Sequence, residues 1–262
     1  MSGHTTEHDL GLAHDLATLN RRRALALLGG LAVAACTPSA PGSSGSSTPG
    51  SSGSGLKPIP DETAGPFPGD GSNGPNVLTE SGIVRSDVRS SFGGATGTAR
   101  GVPLTITLTV RDTAKGGAPY AGAAVYIWQC DGDGNYSMYS DGVADQNYLR
   151  GVQETDGSGK VTFTSVYPGA YPSRWPHVHF EVYPDLVEAT KAGDPVATSQ
   201  LAFPKDVCDV VYAAAGYERS AVNLAKVSLD SDLVFRDGHD AQLAVLTGDV
   251  ASGYAATLEV PV

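Results

Sequence analysis

The sequence is poor in basic residues, in long apolar segments and in cysteine, and each shortage excludes a class of protein. Lys and Arg together number 17 against 28 Asp and Glu, which gives a net charge of −11. The chain therefore lacks the basic surface that binding to nucleic-acid phosphates requires. No apolar run approaches the roughly 20 residues of a membrane-spanning helix. Hydrophobic residues nevertheless make up 40% of the 262 residues, which is enough for a folded core.

The N-terminal segment is typical of an exported protein. Three arginines, Arg21–Arg23, precede an apolar segment from Ala24 to Ala35, which has the length of a signal-peptide core and is too short to span a bilayer. Its end, Val33-Ala34-Ala35-Cys36, resembles a bacterial lipobox, which implies cleavage before Cys36 and a lipid on its sulfur. The arginines also resemble a twin-arginine export signal, although an ordinary Sec signal with an incidental cysteine fits the same pattern. We expect residues 1–35 to be a signal peptide.

Residues 36–57 predict a flexible tether, because Gly42 to Gly55 are almost all Gly and Ser and cannot bury apolar surface. The expected location is therefore the extracellular face of the bacterial membrane, with membrane contact only through the lipid anchor at Cys36. The chain has 3 Cys, so lipidation of Cys36 leaves Cys130 and Cys208. The sequence leaves open whether these two form a disulfide or remain buried thiols.

Residues 58–262 predict an all-β domain, an antiparallel β-sandwich with long connecting loops and little helix. Apolar residues alternate with threonine from Leu104 to Val110, the pattern of a strand with one buried face. Turn clusters such as Asp131–Gly134 punctuate the segment. The segment from Lys57 to Arg100 is rich in Gly, Pro and Ser, and we expect it to wrap the sandwich as ordered loop. Further strands are expected at 124–129, 160–166, 177–183, 207–213, 242–247 and 257–260.

A pair of histidines is the first candidate site. Only His177, His179 and His239 lie beyond the leader. Residues i and i+2 of a strand point to the same face, so His177 and His179 can converge on one metal ion. Two structural histidines are the alternative interpretation. A second alternative is an Fe(II) or Zn(II) site in which Glu181 joins the two histidines as a carboxylate ligand.

Several motifs around this pair together resemble the intradiol ring-cleavage dioxygenases, a family that includes the catechol, hydroxyquinol and protocatechuate enzymes. The resemblance extends from roughly residue 58 to residue 247. The motifs that carry it are Glu62-Thr63-x-Gly65-Pro66-Phe67, Trp128 with Asp131-x-x-Gly134-x-Tyr136, Pro168-Gly169-x-Tyr171-Pro172, Arg174-x-x-His177-x-His179 and Ser199-Gln200.

The resemblance implies a β-sandwich enzyme that holds a non-haem Fe(III) ion through Tyr136, Tyr171, His177 and His179. A free tyrosine has a pKa of about 10, and a trivalent cation removes its proton. Hard anionic oxygen donors of this kind favour ferric over ferrous iron. The implied substrates are a catechol-type aromatic diol and O2, and the implied product is a cis,cis-muconate that contains both oxygen atoms.

The resemblance also implies catalytic roles for three side chains. Tyr171 would leave the metal when the diol binds and accept a proton from it. Arg174 would stabilise negative charge on the substrate ring, and Gln200 would lie near the iron. In catechol-type members a helical segment before the catalytic domain builds a dimer, whereas this chain has a leader and tether there. The oligomeric state and the identity of the diol stay open. A non-catalytic, lipid-anchored β-sandwich binding module is the competing hypothesis.

Overall fold

The structure is a computed structural model, and it describes residues 56–262. The predicted leader and nearly all of the predicted tether lie outside these residues. Within them, no helix has the length and apolar character needed to cross a bilayer. The strands of the described part are β1 (Pro103–Asp112), β2 (Ala118–Pro119), β3 (Ala124–Trp128), β4 (Arg150–Glu154), β5 (Lys160–Val166), β6 (His177–Tyr183), β7 (Ala197–Ala202), β8 (Val245–Asp249) and β9 (Gly253–Pro261). The helices are α1 (Leu186–Thr190), α2 (Lys205–Tyr212), α3 (Glu218–Leu224) and a 3-10 turn, Phe235–Asp237.

The strands form two sheets, which confirms the predicted all-β sandwich with little helix. In the first sheet, β1 pairs with β2 and β5 along one edge and with β9 along the other, and β8 lies outside β9. The second sheet has the order β4-β3-β6-β7 and is antiparallel throughout. The arrangement departs from the expected antiparallel pattern at β1 and β9, which run parallel.

The main core lies between the sheets and follows from the alternation seen in the sequence. The apolar residues of β1, from Leu104 to Val110, are buried there, while its threonines face outward or lie at the sheet surface. Val178, Phe180 and Val182 of β6 enter the same core from the second sheet. Since side chains alternate along a strand, the histidines of β6 must point away from this core.

The outer face of the second sheet is also buried, because the loop segment that precedes β1 covers it. Val77, Leu78 and Ile83 of this segment pack with Tyr126 and Trp128 of β3 in a second apolar cluster. The predicted wrapping loop is therefore present, and its backbone bonds to both sheets, for example at Ile59 N to Pro261 O and Glu62 N to Thr198 O. Polar side chains on this outer face are thus removed from bulk water.

One predicted strand was wrong, and three strands were not predicted. The segment 207–213, expected as a strand, is helix α2. Its valines favour a strand, but Cys208, Val211 and Tyr212 are buried at helical spacing, and Lys205 and Asp209 form an i,i+4 ion pair. Strands β2, β4 and β7 were not predicted. The question of the disulfide is answered by the structure, where Cys130 and Cys208 are free, buried thiols.

Candidate metal centre

One row of side chains crosses the outer face of the second sheet. The strand registers place Arg150 opposite Trp128, Trp128 opposite His179, and His179 opposite Gln200. Side chains that face each other across neighbouring strands lie on the same face of a sheet. The row therefore carries two of the predicted site residues, His179 and Gln200, on rigid strands.

The two histidines of β6 meet at their Nε2 atoms, which lie 3.0 Å apart. The Nδ1–H of His177 donates to the carbonyl of Trp175, and since a carbonyl only accepts, this bond leaves the lone pair of His177 on Nε2. The ring of His179 stacks on Trp128, with 4.9 Å between centroids and 6° between planes. Both imidazoles are therefore held in fixed orientations, with Nε2 directed into one space.

Tyr136 reaches this space from the turn that follows β3. The Oδ1 atom of Asp131 accepts hydrogen bonds from the backbone N–H groups of Asp133 and Asn135, and its Oδ2 atom accepts one from the Tyr148 hydroxyl. Beyond the turn, the N–H of Tyr136 donates to Ser140 Oγ. These bonds direct the Tyr136 ring inward, where its hydroxyl lies 3.4 Å from His177 Nε2.

Tyr171 reaches the same space from the loop before β6. Its hydroxyl lies 3.3 Å from His177 Nε2, and its ring meets that of Tyr136 edge to face at 5.7 Å. The turn glycine Gly134 has φ +85° and packs against Tyr171, so that a Cβ atom there would lie 3.3 Å from Tyr171 Cβ. The structure thus brings the four predicted ligands together, although they lie in three separate parts of the sequence.

Burial shifts the pKa values of three of these groups, His177, His179 and Tyr136, towards their neutral forms. Burial, reinforced by Arg174, lowers the pKa of His177, and burial and His177 together lower that of His179. Burial, followed by the neighbouring Tyr171, raises the pKa of Tyr136. The site therefore holds neutral imidazoles, with lone pairs available to a cation, and at Tyr136 a phenol that only a strong cation would ionise. This donor set fits ferric iron, while the ligand roles themselves remain a prediction.

Arg174 lies beside this group and is held by buried polar partners. Its Nη2 donates to Gln200 Oε1 at 2.6 Å and its Nη1 to the Tyr171 hydroxyl at 3.4 Å. Gln200 in turn donates to the carbonyl of Thr63 at 2.9 Å. Both predicted polar residues, Arg174 and Gln200, are therefore joined to the ligand group through hydrogen bonds.

Asp232 and Arg150 are site residues that the sequence analysis missed. Asp232 is fully buried, and its Oδ2 accepts from Arg174 Nε at 2.9 Å and from Trp175 N at 2.6 Å. Burial alone would raise the pKa of Asp232, but Arg174 and the Trp175 amide lower it below its usual value. Asp232 follows a polar stretch with no motif, and Arg150 begins a strand that was not predicted. No sequence signal singled out either residue.

The alternative site with a carboxylate ligand is not supported. Glu181 lies on the histidine face, but its carboxylate accepts from the Tyr183 hydroxyl at 2.7 Å and from Thr198 Oγ1 at 3.4 Å. Across residues 56–262, no three His, Cys, Asp or Glu side chains are grouped so that they could hold a metal ion. The candidate site depends instead on the two tyrosines.

Comparison with known proteins assigns the family. A family model described as Dioxygenase matches residues 73–216, which is more than half of the chain. A chlorocatechol 1,2-dioxygenase of Rhodococcus opacus is 38% identical over 68 residues, 26% of each chain. The protocatechuate 3,4-dioxygenase beta chain of Burkholderia cepacia is 33% identical over 112 residues, which cover 38% of this chain and 45% of that one. The chain thus spans about a quarter to just under half of the length of the curated relatives it matches.

Solved structures agree with this assignment. An intradiol ring-cleavage dioxygenase from Tetranychus urticae superposes with a TM-score of 0.58 at 25% identity, over 70% of this chain and 87% of that one. The catechol 1,2-dioxygenase of Pseudomonas arvilla C-1 shares the fold, with a TM-score of 0.51 at 19% identity over 97% of this chain and 69% of that one. The chain belongs to the family of intradiol ring-cleavage dioxygenases.

Proposed function

We propose that the protein is a non-haem Fe(III)-dependent intradiol dioxygenase that opens the ring of a catechol-type diol with O2 to a cis,cis-muconate-type product. The observation that carries the proposal is the convergence of two phenol oxygens and two imidazole nitrogens, in which His177 Nε2 lies within 3.4 Å of the other three donor atoms. Tyr136, Tyr171, His177 and His179 would hold the iron. When bound, ferric iron would supply the Lewis acidity and redox chemistry that make a catecholate reactive towards O2.

Tyr171 is suited to exchange with the diol. It is only half-buried, whereas Tyr136 is fully buried, so that Tyr171 has more freedom to turn away when the substrate enters. Its released phenolate oxygen would accept a proton from a diol hydroxyl. Before any displacement, the Nη1 atom of Arg174 lies 3.4 Å from the Tyr171 oxygen, so that a charged hydrogen-bond donor already faces this group in the ligand set.

Arg174 would also stabilise charge on the substrate. Its guanidinium is fixed by Asp232 on one side and by Gln200 on another, so that it needs no reorganisation when negative charge develops on the ring. A preorganised charge of this kind in a site removed from water contributes strongly to transition-state stabilisation. Gln200 acts here by orienting Arg174 rather than by touching the metal.

The test combines metal content, colour and product. The purified protein should contain iron, show the visible absorption of tyrosinate bound to Fe(III), and place both atoms of oxygen-18 gas in the product of one diol from a panel of catechols. Tyr136→Phe and His177→Ala should lose most iron and activity. Tyr254→Phe, which alters a tyrosine of β9 in the other sheet, is the control and should keep both. A colourless, iron-free and inactive wild-type protein would instead favour the binding-module hypothesis.

We further propose that the enzyme is exported and held at the outer face of the bacterial membrane by a lipid on Cys36. The support lies in the sequence, where an arginine cluster, a short apolar segment and Cys36 are followed by a Gly/Ser tether. The substrate would then be an aromatic diol outside the cell.

A further inference from the structure

Arg150 is a buried cation whose hydrogen-bonding capacity is fully used. The residue is 1% exposed. Its Nε donates to Ser137 Oγ at 3.2 Å, its Nη1 to Pro68 O at 2.8 Å and to the Tyr126 hydroxyl at 3.1 Å, and its Nη2 to Phe67 O and Ser137 O, both at 2.9 Å. All five acceptors are neutral oxygens. No carboxylate is among them, in contrast to Arg174, which pairs with Asp232.

Burying a guanidinium without a carboxylate is costly even when its N–H groups are bonded. A carboxylate does lie on the same sheet face, at Glu181, which is buried opposite Tyr126, but it is not among the acceptors of Arg150. Arg150 stands two positions from His179 in the row that crosses the sheet, with Trp128 between them.

The hydrogen bonds of Arg150 join two segments that flank Tyr136. Ser137 is the next residue along the chain, and both its carbonyl and its hydroxyl accept from Arg150. Phe67, whose carbonyl accepts from Nη2, packs its ring 4.9 Å from the ring of Tyr136. A planar guanidinium can serve both segments at once because its donors point in fixed, divergent directions.

We propose that Arg150 is a positioning residue for the intradiol reaction, which fixes the phenol of Tyr136 between two segments and holds a positive charge, bonded directly only to neutral oxygens, beside the ligand set. This inference rests on the proposed function. Partners that orient a metal ligand without touching the metal typically change metal affinity or activity by about 10- to 100-fold when they are removed. Lysine at this position would retain the positive charge but not the planar set of divergent N–H donors, and methionine would retain neither.

The experiment compares Arg150→Lys and Arg150→Met with the wild-type holoenzyme. We expect iron affinity, measured by competition with a chelator, and kcat to fall by about 10- to 100-fold, more in the methionine variant. The visible tyrosinate band should shift in the fraction that keeps iron. In the metal-free protein, hydrogen exchange of residues 133–140 should rise. A purely structural role would lower stability without shifting the band of the folded holoenzyme.

Single removals of Arg150's partners keep the inference testable if both Arg150 variants fail to fold. Ser137→Ala and Tyr126→Phe each delete one acceptor, and each should shift the band in the same direction by a smaller amount. Thr162→Ala, at an exposed position of β5 in the other sheet, is the control and should leave the band unchanged. If all folded variants kept the iron affinity, visible band and kcat of the wild type, the role of Arg150 would be refuted and the proposed function would stand. Absence of iron and activity in the wild-type protein would overturn the proposed function and this inference together.

Discussion

Replacing Asp232 with alanine should destabilise the domain strongly, because it breaks a buried ion pair from one side. The carboxylate is fully buried, and its Arg174 partner is only 3% exposed. Besides Arg174 and Trp175, Asp232 accepts hydrogen bonds from the N–H groups of Val234 and Phe235. Alanine would leave a buried guanidinium without its counterion and three backbone donors without partners.

The expected loss is about 3–5 kcal/mol of unfolding free energy, the usual cost of removing one partner from a buried pair. In a domain of this size each kcal/mol lowers the melting temperature by about 2–4 °C, so the shift should be about 6–20 °C. The exposed pair between Lys205 and Asp209 provides the control. Asp209→Ala should cost at most about 1 kcal/mol, since solvent screens this pair.

Urea unfolding of the wild type, Asp232→Ala and Asp209→Ala measures these differences in unfolding free energy. The comparison requires that the dependence of the free energy on urea concentration, the m value, is the same in all three proteins. A loss below about 1 kcal/mol for Asp232→Ala, equal to that of the control, would refute the reasoning. The pH dependence supplies a second check. Because the folded-state pKa of Asp232 is lowered from 3.8, its contribution is full above that value and is lost as the pH falls through the folded pKa. The difference between Asp232→Ala and the wild type should therefore shrink in strong acid.

Three further predictions concern other parts of the chain. Burial and the neighbouring Asp237 raise the pKa of Glu62 from 4.5 to about 8, so that its native form is the protonated one and stability should fall as the pH rises from 4.5 to 8. Glu62→Gln should remove this slope in urea titrations at several pH values, and an unchanged slope would exclude Glu62 as its source. Gly134→Ala and Gly142→Ala both place alanine at a positive φ, but only at Gly134 does the new Cβ meet Tyr171 and Ala170, whereas at Gly142 nothing lies within 4 Å. Both variants should lose about 1–2 kcal/mol of stability, yet only Gly134→Ala should lose iron, and equal iron loss in both would contradict this explanation. Cys36→Ser should move the protein from the membrane fraction to the soluble fraction of expressing cells, and continued membrane association would count against lipidation.

The fold was predictable where the local pattern decides the structure. The alternation of apolar residues with threonine predicts strand β1 and its buried face. In β6, histidines alternate with apolar residues, which places Val178, Phe180 and Val182 in the core and the histidines on the other face. The pattern failed at α2, because its valines favour a strand and only tertiary burial of Cys208 and Tyr212 reveals the helical period. The pattern also failed for β7, because Ser199 and Gln200 are polar residues that are buried there with their side chains hydrogen-bonded to backbone carbonyls.

The candidate ligands were predictable from motifs, but the residues that hold them were not. Asp232 lies 58 positions from Arg174, and Arg150 is 82 and 83 positions from its acceptors in Pro68 and Phe67. Such partners are linked only by the folded chain, and a single Asp or Arg carries no local signal of its future contact. Their roles follow from the pairing of guanidinium donors with acceptors in the folded chain.

The register of β6 ties the stability of the domain to its proposed chemistry. Phe180 and Val182 pack into the main core, whereas His177 and His179 lie on the opposite face of the strand, at the candidate metal centre. A slip of one residue would exchange the two faces, burying imidazoles in the core and removing them from Tyr136 and Tyr171. Such a slip would also break the row in which Arg150, Trp128, His179 and Gln200 are aligned. The apolar side chains of β6 therefore select the same register that the ligand set needs, so packing in the core positions the histidines before any metal binds.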